Sequence, residues 1–434
     1  MVGDGVGPCG GGGPWLTLEE MATTDLPPPT GPTGSFGVPE ISSAPADASP
    51  VYTAAPDGLT RAQRRIASRE ARLPKTKTPT RMRELDLLRF LAAVGVLLFH
   101  YTARQSPAWG GVDPVQVFPW LSQFTRYGFL GVELFFVISG FVILMTAWGR
   151  KVGEFAIARF TRLFPAYVFA VLFTATVVTV FGSLNYNVTP LEVLTNMTLL
   201  QEPLGIASVD GVYWSLLIEL KFYFLLACLV GFGVTYRRVV TFMGLWLVAT
   251  VALRAAPVAF LDFFLFPRWS QYFIAGMALY LIHRFGSNLV LWSFVFVTWI
   301  LTLTTVADEA AGAERIVGAP VNPLTMYAGI TVIYLVMSLV AVGALRWMSW
   351  RRLTTLGLLT YPLYLLHEWV GWVMIDKLRL DFTPWQTLAI TSASMILLAW
   401  LVAHFIETPL SRRVRAGLNH SLHQMRSETE RARG

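Results

Sequence analysis

The fold is decided by the stretch Glu84-Leu-Asp-Leu-Leu-Arg-Phe-Leu-Ala-Ala-Val-Gly-Val-Leu-Leu-Phe-His100, which opens the apolar part of the chain. A helix needs about 20 mostly apolar residues to cross a bilayer, and this one carries Arg89 and His100 within it. Their separation of eleven residues is about three helical turns plus roughly 20°, so both side chains lie on one face, about 16 Å apart along the axis. Ionisable groups inside a membrane are costly, and such a pair indicates a functional site.

The whole chain of 434 residues shares this apolar character. Hydrophobic residues make up 54% of it and charged residues 14%, and its mean hydropathy is +0.53. Soluble domains carry about a quarter charged residues. The composition therefore excludes an ordinary soluble enzyme, a disordered protein and a nucleic-acid-binding domain that owes its pI of 9.5 to a basic groove. Two cysteines exclude a disulfide scaffold and a cysteine-built zinc site. We expect a lipid bilayer as partner, with no nucleic acid and no metal.

Apolar runs of helical length recur along the rest of the chain. Ten of them alternate with short polar breaks, at 85–103, 127–147, 163–181, 213–233, 239–256, 268–283, 289–306, 324–345, 354–375 and 386–406. Backbone that faces lipid must satisfy its own hydrogen bonds, and nothing in the sequence alternates like a barrel strand. We therefore predict an all-α polytopic membrane protein with about ten transmembrane helices around an internal polar cavity.

Basic residues set the predicted orientation and the domain limits. If the N-terminus is cytoplasmic, most of the 34 Lys and Arg residues fall on the inner side, as the positive-inside rule requires. Both termini are then cytoplasmic. Residues 1–83 are predicted to be a disordered Gly- and Pro-rich stretch followed by a basic tail, 84–410 the transmembrane domain, and 411–434 a second basic tail.

Arg89 and His100 suit two complementary tasks. A guanidinium binds phosphate or carboxylate groups, and an imidazole can act as general base on a hydroxyl. A purely structural alternative is open for both residues. Arg89 can pair with Asp86, three residues earlier on the helix, and His100 can hydrogen-bond a neighbouring helix.

Five further segments carry polar groups inside or beside the predicted spans. They are Gly131-Val-Glu-Leu-Phe-Phe-Val-Ile-Ser-Gly-Phe-Val-Ile143, Arg159-Phe-Thr-Arg-Leu-Phe-Pro165, Trp214-Ser-Leu-Leu-Ile-Glu219 with Phe222-Tyr223, Thr360-Tyr-Pro-Leu-Tyr-Leu-Leu-His367 and Phe405-Ile-Glu-Thr-Pro409. Together with the opening Arg-x10-His stretch, their order and spacing resemble acyltransferase family 3, whose members are membrane-bound O-acyltransferases that act on sugars and other envelope molecules. The resemblance covers about residues 84–410, with Thr360 in place of the usual Ser.

The resemblance implies an enzyme that transfers acyl groups other than amino-acyl groups. The donor would be a cytoplasmic acyl-coenzyme A. It would be a substrate, and no bound cofactor is expected. The acceptor would be a hydroxyl of a cell-envelope carbohydrate or glycolipid, and the location the plasma (inner) membrane. Arg159 and Arg162 share a helix face and, with Arg89, would bind the donor's phosphates. The alternative is that Arg159 and Arg162 only set the topology.

The predicted catalytic residues are His100 as general base, Glu219 as the group that orients it, and Arg89 as a charge that offsets developing negative charge. An ion pair with another helix is the structural alternative for Glu219. Direct transfer and a covalent acyl-enzyme both stay open. The residues predicted to line the cavity are Trp214, Ser215, Tyr361 and His367.

A different class of function is transport, with the protein as a carrier or flippase of a lipid-linked envelope precursor. Arg89 and His100 would then form an ion or proton relay. Transporters of this kind show broken spans in two related halves, and the sequence shows no clear pattern of that type. Acyl transfer is therefore the favoured hypothesis.

Overall fold

The computed structural model describes residues 82–431 except 183, 185, 349, 351 and 352. The regular elements of this part are helical, and ten helices occupy the ten predicted apolar stretches. They are α1 (Arg83–Thr102), α2 (Leu130–Ala147), α3 (Val152–Val180), α4 (Trp214–Phe232), α5 (Tyr236–Ala255), α6 (Ser270–Phe285), α7 (Leu289–Leu303), α8 (Pro323–Val342), α9 (Leu353–Leu378) and α10 (Pro384–Val402). The all-α fold is thus confirmed, while the predictions for residues 1–81 fall outside the described residues.

Shorter helices connect the ten. The α-helical connectors are Pro114–Val117, Ser122–Thr125, Pro190–Asn196, Ala259–Leu265 and Val306–Val317, and single 3-10 turns lie at Pro107–Trp109, Gly211–Tyr213 and Arg346–Met348. A π-helix, Ala403–Glu407, follows α10 and leads into a C-terminal helix, Thr408–Arg431. The C-terminal helix packs against α3, where Leu422 lies beside Gly153.

Seven helices in the described part of the chain are long and apolar enough to cross a membrane. An eighth is added if the bent pair Leu289–Leu303 and Val306–Val317, with 49° between its halves, counts as one span. The helices α6 and α9 are not among them: α6 has only 16 residues, and α9 is less apolar, with Tyr, Thr, His and acidic residues along it. The chain is therefore a multi-pass membrane protein, with the count of ten spans still a prediction.

The core is built around α6, in which only His283 and Arg284 escape burial. This helix packs against α2, α5, α7 and α8. Glycines let the backbones of α2 and α6 touch, since a Cβ atom on Gly276 would clash with the Val137 carbonyl oxygen and one on Gly140 with the Phe273 backbone. Close approach through small residues is typical of helix pairs in membranes.

The second close pair is α1 with α9, and it positions the residues of interest. Gly371 of α9 leaves space for the ring of Tyr101, whose hydroxyl donates to the His367 carbonyl oxygen at 2.7 Å. Near the other end, Gly357 packs against the side chain of Asp86. These contacts fix the register of the two helices and bring His100 opposite His367.

Candidate functional site

A cavity of about 210 Å³ lies among α1, α2, α3, α4 and α9. Phenylalanine and aliphatic side chains form part of its wall. Its polar lining consists of Arg89, Ser139, Arg159, Arg162, Ser215, Glu219, Tyr223, Thr360, Tyr361 and Tyr364. Three arginines and one glutamate therefore meet in one space, and the cavity carries an excess of positive charge.

The three arginines predicted to bind the donor are brought together in this cavity. Arg159 lies over the ring of Tyr223 and Arg162 over that of Tyr361, with guanidinium carbons 5.8 Å and 5.3 Å from the ring centres. Arg89 makes no hydrogen bond or close ion pair with any described residue, and the buried Nε of Arg159 also lacks a partner there. Guanidinium groups with free donors that face a cavity are suited to bind an anion.

Glu219 belongs to this cavity and not to His100. Its Oε1 accepts hydrogen bonds from Ser139 Oγ at 3.1 Å and from the Tyr223 hydroxyl at 2.9 Å. The predicted contact between Glu219 and His100 does not occur among the described residues. One turn earlier on α4, Ser215 already meets Tyr364 of α9, and the histidines lie beyond that tyrosine.

His100 lies at the other end of α1 and is only 5% exposed. Its Nδ1 lies 2.8 Å from the Val96 carbonyl oxygen, and because a carbonyl only accepts, Nδ1 of a neutral ring carries the proton. The same Nδ1 is 3.2 Å from Nε2 of His367, whose own Nδ1 donates to the Tyr364 carbonyl oxygen at 2.8 Å. This assignment leaves Nε2 of His100 unprotonated, which is what a general base requires.

Two charged side chains surround that nitrogen. Nη1 of Arg104 lies 3.3 Å from His100 Nε2 and 3.3 Å from Oε1 of Glu368, and the same Oε1 is 3.8 Å from His100 Nε2. The carboxylate next to His100 is therefore Glu368, which the sequence analysis missed. The available signal was its place directly after His367, because two consecutive ionisable residues in an apolar helix are costly unless they have partners.

Asp210, in the loop before α4, lies beside this cluster. It is fully buried and accepts backbone N–H groups of Val212 at 3.2 Å and Trp369 at 3.3 Å. Burial, and then the negative charge of neighbouring Glu368, raise the pKa of Asp210 well above its usual value. The loop is thereby tied to α9 directly above the two histidines.

Two of the four residues predicted to line the cavity do so. Ser215 and Tyr361 are part of the wall, whereas Trp214 and His367 are not. The ring of Trp214 packs 5.0 Å from that of Trp269, because its position at the start of α4 faces the aromatic core. The ring of His367 faces His100 at 4.8 Å between centroids, because it lies one turn beyond Tyr364 on α9.

Tyr364 stands between the cavity and the histidines. Its hydroxyl is 2.7 Å from Ser215 Oγ and 3.2 Å from the Val212 carbonyl oxygen, and its ring packs 5.7 Å from that of Phe135. Neither His100 nor His367 lines the cavity. Arg89 therefore lines the cavity and His100 does not, and the catalytic role of Arg89 stays a prediction.

Beside the cavity lies an ion pair that the sequence analysis did not predict. Arg162 pairs with Glu407, the last residue of the π-helix that follows α10. π-helical turns are rare and are frequent at functional sites. The wider turn brings the carboxylate of Glu407 to the same side as the cavity arginines, so part of their charge is already neutralised.

Comparison with known proteins places this geometry in context. Residues 82–404 match a family described as an acyltransferase domain. The chain is also 34% identical over 117 residues to O-acetyltransferase OatA of Staphylococcus aureus strains NCTC 8325 and COL. That match covers 25% of this chain and 16% of each relative, so the chain spans only about a sixth of their length. No solved structure matches the chain.

Proposed function

The chain belongs to this acyltransferase family, and on that premise we propose that it moves an acyl group from cytoplasmic acyl-coenzyme A to a hydroxyl of a cell-envelope carbohydrate or glycolipid. As a family member it is an acyltransferase (EC 2.3.1.-). One observation carries the proposal: arginines that line a cationic cavity and a histidine whose Nε2 is unprotonated are brought together by the same helix, α1. Membership of an enzyme family removes the support for the transport alternative.

The proposed topology has ten spans in the plasma (inner) membrane, with both termini cytoplasmic. The two helices that fall short as lipid-facing spans are shielded from lipid. Nearly all of α6 is buried, and on α9 Glu368 and Asp376 are 1% and 7% exposed. A helix enclosed by others need not match the thickness of the hydrocarbon region. This orientation puts the arginine-lined cavity on the cytoplasmic half and His100 on the outer half.

The donor would enter the cavity from the cytoplasm. Its phosphates would bind Arg159 and Arg162, with Arg89 deeper in the wall, because planar guanidinium groups bind phosphate oxygens in pairs. The cavity of about 210 Å³ is smaller than the roughly 300 Å³ that encloses a drug-sized ligand. It therefore suits the narrow pantetheine arm and a short acyl group such as acetyl, with the nucleotide left at the inner mouth.

The transfer itself would use His100. As the acceptor oxygen attacks the thioester carbonyl carbon, its proton moves to Nε2 of His100. The carbon–sulfur bond then breaks, the acyl ester forms, and the coenzyme A thiolate takes the proton back from the imidazolium. In the covalent alternative, His100 or a serine carries the acyl group first. Either route requires Arg104 to leave Nε2 and the side chain of Tyr364 to let the thioester pass.

The test is acyl transfer by the purified full-length protein in lipid nanodiscs. Radiolabelled acetyl-coenzyme A is supplied together with envelope glycans from cells that lack the protein. We expect ester labelling by the wild type and a loss of roughly 100-fold or more in His100→Ala, with coenzyme A binding unchanged.

The matched control is His420→Ala, because His420 is exposed on the C-terminal helix and contacts only the Gln424 side chain, at 3.0 Å, among the described residues. This control should label like the wild type. Absence of labelling by the wild type with acetyl and longer acyl donors, or a His100→Ala variant that labels normally, would contradict the proposal.

A further inference from the structure

The cluster around His100 contains a carboxylate to which the proposed reaction gives no task. Glu368 is 1% exposed, and neither of its oxygens accepts a hydrogen bond of normal geometry from the described residues. Its close neighbours are Nη1 of Arg104, at 3.3 Å, Nε2 of His100, at 3.8 Å, and the carboxyl group of Asp210. A buried charge in this state is costly unless a partner of opposite charge is kept close.

We propose that Glu368 is a positioning residue for acyl transfer: it holds Arg104 and neutralises its charge, so that Nε2 of His100 can take up the acceptor's proton. The inference rests on the proposed function. In the resting arrangement Arg104 contacts both Glu368 and Nε2 of His100. When the acceptor hydroxyl arrives, Glu368 gives the guanidinium another place to bind, and Nε2 becomes available.

Without a neutralising carboxylate, the positive charge of Arg104 would oppose protonation of His100. A guanidinium 3.3 Å from Nε2 repels a second positive charge on the same ring, and this repulsion is strong where little water enters. A carboxylate at similar distance from both groups cancels most of it. The carboxylate also attracts the proton that His100 carries between the two steps of the transfer.

The surroundings of Glu368 are built to hold it in place. Its carboxylate packs directly against Gly211, where a Cβ atom would lie 2.8 Å from Oε2 and 3.0 Å from Oε1. The raised pKa of Asp210, due to burial and to the charge of Glu368, lets Asp210 hold a proton next to Glu368. The two carboxyl groups then carry one negative charge between them, which matches the single positive charge of Arg104.

A purely structural role is the competing explanation, in which Glu368 and Arg104 only tie the end of α1 to α9. The two explanations differ in how removal of these charges affects kcat. If the pair is only structural, Glu368→Gln lowers the amount of folded, inserted protein and its Tm, while the kcat of the inserted protein stays near that of the wild type. If Glu368 acts by neutralising Arg104, removal of both charges restores the basic Nε2, and the double variant avoids an unpaired buried charge.

The experiment compares Glu368→Gln and Arg104→Gln/Glu368→Gln in the nanodisc transfer assay described above. For the single variant we expect kcat to fall about 100-fold and the KM for acetyl-coenzyme A to stay within about twofold, because the donor cavity is not altered. For the double variant we expect kcat to recover by at least tenfold over the single variant. The matched control is Asp376→Asn, a buried carboxylate two turns further along α9 that pairs with Arg379 at 2.8 Å; it should retain wild-type kcat.

Two results would overturn the inference. One is a Glu368→Gln variant that transfers within threefold of the wild type, and the other is a double variant no faster than the single one. Should the single variant not insert, the double variant alone decides, since the inference requires it to stay within about tenfold of the wild type. A wild type without transfer activity would instead refute the proposed function, so the two failures are distinguishable.

Discussion

The arginine-lined cavity and the histidine cluster lie on the same two helices, α1 and α9, but the side chains of the cavity are open to it and those of the cluster are packed. In the cavity, Arg89 and Arg159 face open space with unfilled hydrogen-bond donors. In the cluster, both nitrogens of His100 are occupied, and its ring is packed against those of His367 and Trp372. Under the proposed function, the difference teaches that the donor site is preformed, whereas the reaction site becomes available only after side chains move.

The two regions meet along α9, where consecutive turns of the helix face different surroundings. Thr360, Tyr361 and Tyr364 of α9 line the cavity, and the next turn presents His367 and Glu368 to the end of α1. The side chain of Tyr364 therefore forms the boundary between the open cavity and the packed histidine cluster. Variants on either side should act on donor binding or on proton transfer, and not on both.

The largest expected effect that tests this separation is on donor affinity. Arg159→Ala removes a guanidinium whose Nε has no partner and leaves no carboxylate unpaired. We expect the Kd for coenzyme A, measured by calorimetry in nanodiscs, to rise at least tenfold, because a charge-assisted hydrogen bond contributes about 1.5–3 kcal/mol. Arg284→Ala, which removes a cation stacked on Trp148 at 4.6 Å, is the control with unchanged Kd. Equal Kd values for both variants would mean that the cavity is not the anion site.

A smaller effect is expected at the boundary itself. Ser215→Ala removes the hydroxyl that lies 2.7 Å from the Tyr364 hydroxyl. A hydrogen bond contributes about 1 kcal/mol, so the thioester should pass Tyr364 about fivefold more often. The measurement is hydrolysis of acetyl-coenzyme A without acceptor, and we expect a rise of two- to fivefold. Ser293→Ala, whose hydroxyl bonds only the Leu289 carbonyl at 2.9 Å, is the control, and an unchanged rate in Ser215→Ala would show that Tyr364 is not the barrier.

The smallest expected effect is on how the free energy of unfolding depends on pH, and it comes from Asp210 beside the histidine cluster. Because the pKa of Asp210 is raised in the folded protein, the folded state keeps a proton that the unfolded chain releases above about pH 4. The contribution of this residue to the free energy of unfolding therefore falls as pH rises from about 4 toward the raised pKa. Asp210→Asn removes this dependence.

We therefore expect the Tm of Asp210→Asn minus that of the wild type to become more positive between pH 5 and pH 8. The Tm is measured by thermal unfolding in detergent at several pH values. A variant at the exposed residue Asp381, Asp381→Asn, serves as control, and its difference from the wild type should not change with pH. A flat difference for Asp210→Asn would mean that its carboxyl group is ionised in the folded protein.

Hydropathy alone predicted the ten long apolar helices, because a run of apolar residues fixes a helix in lipid regardless of its neighbours, but it did not predict the polar C-terminal helix Thr408–Arg431. The family resemblance predicted that Arg89, Arg159 and Arg162 belong together, and the structure brings them to one cavity. What failed was the pairing of Glu219 with His100. A helix such as α9 is apolar and buried on nearly every side, so its sequence gives no sign of which residues face which neighbour.

The sequence analysis missed Glu368 and Asp210 for the same physical reason. Glu368 acts through Arg104, and Asp210 through backbone N–H groups of Val212 and Trp369. These partners come from segments far apart in the chain, so their proximity follows from tertiary packing. Only the consecutive His367 and Glu368, two ionisable groups within an apolar span, offered a local signal.

The glycine contact between α2 and α6 limits how substrate range can change. Because these backbones touch at Gly140 and Gly276, α2 has no freedom to shift away from the bundle. The wall that α2 gives to the cavity, with Phe135, Val142 and Ile143, is therefore stationary. If the cavity holds the acyl group as proposed, longer acyl chains require smaller side chains at these three positions, so the three residues set the acyl length.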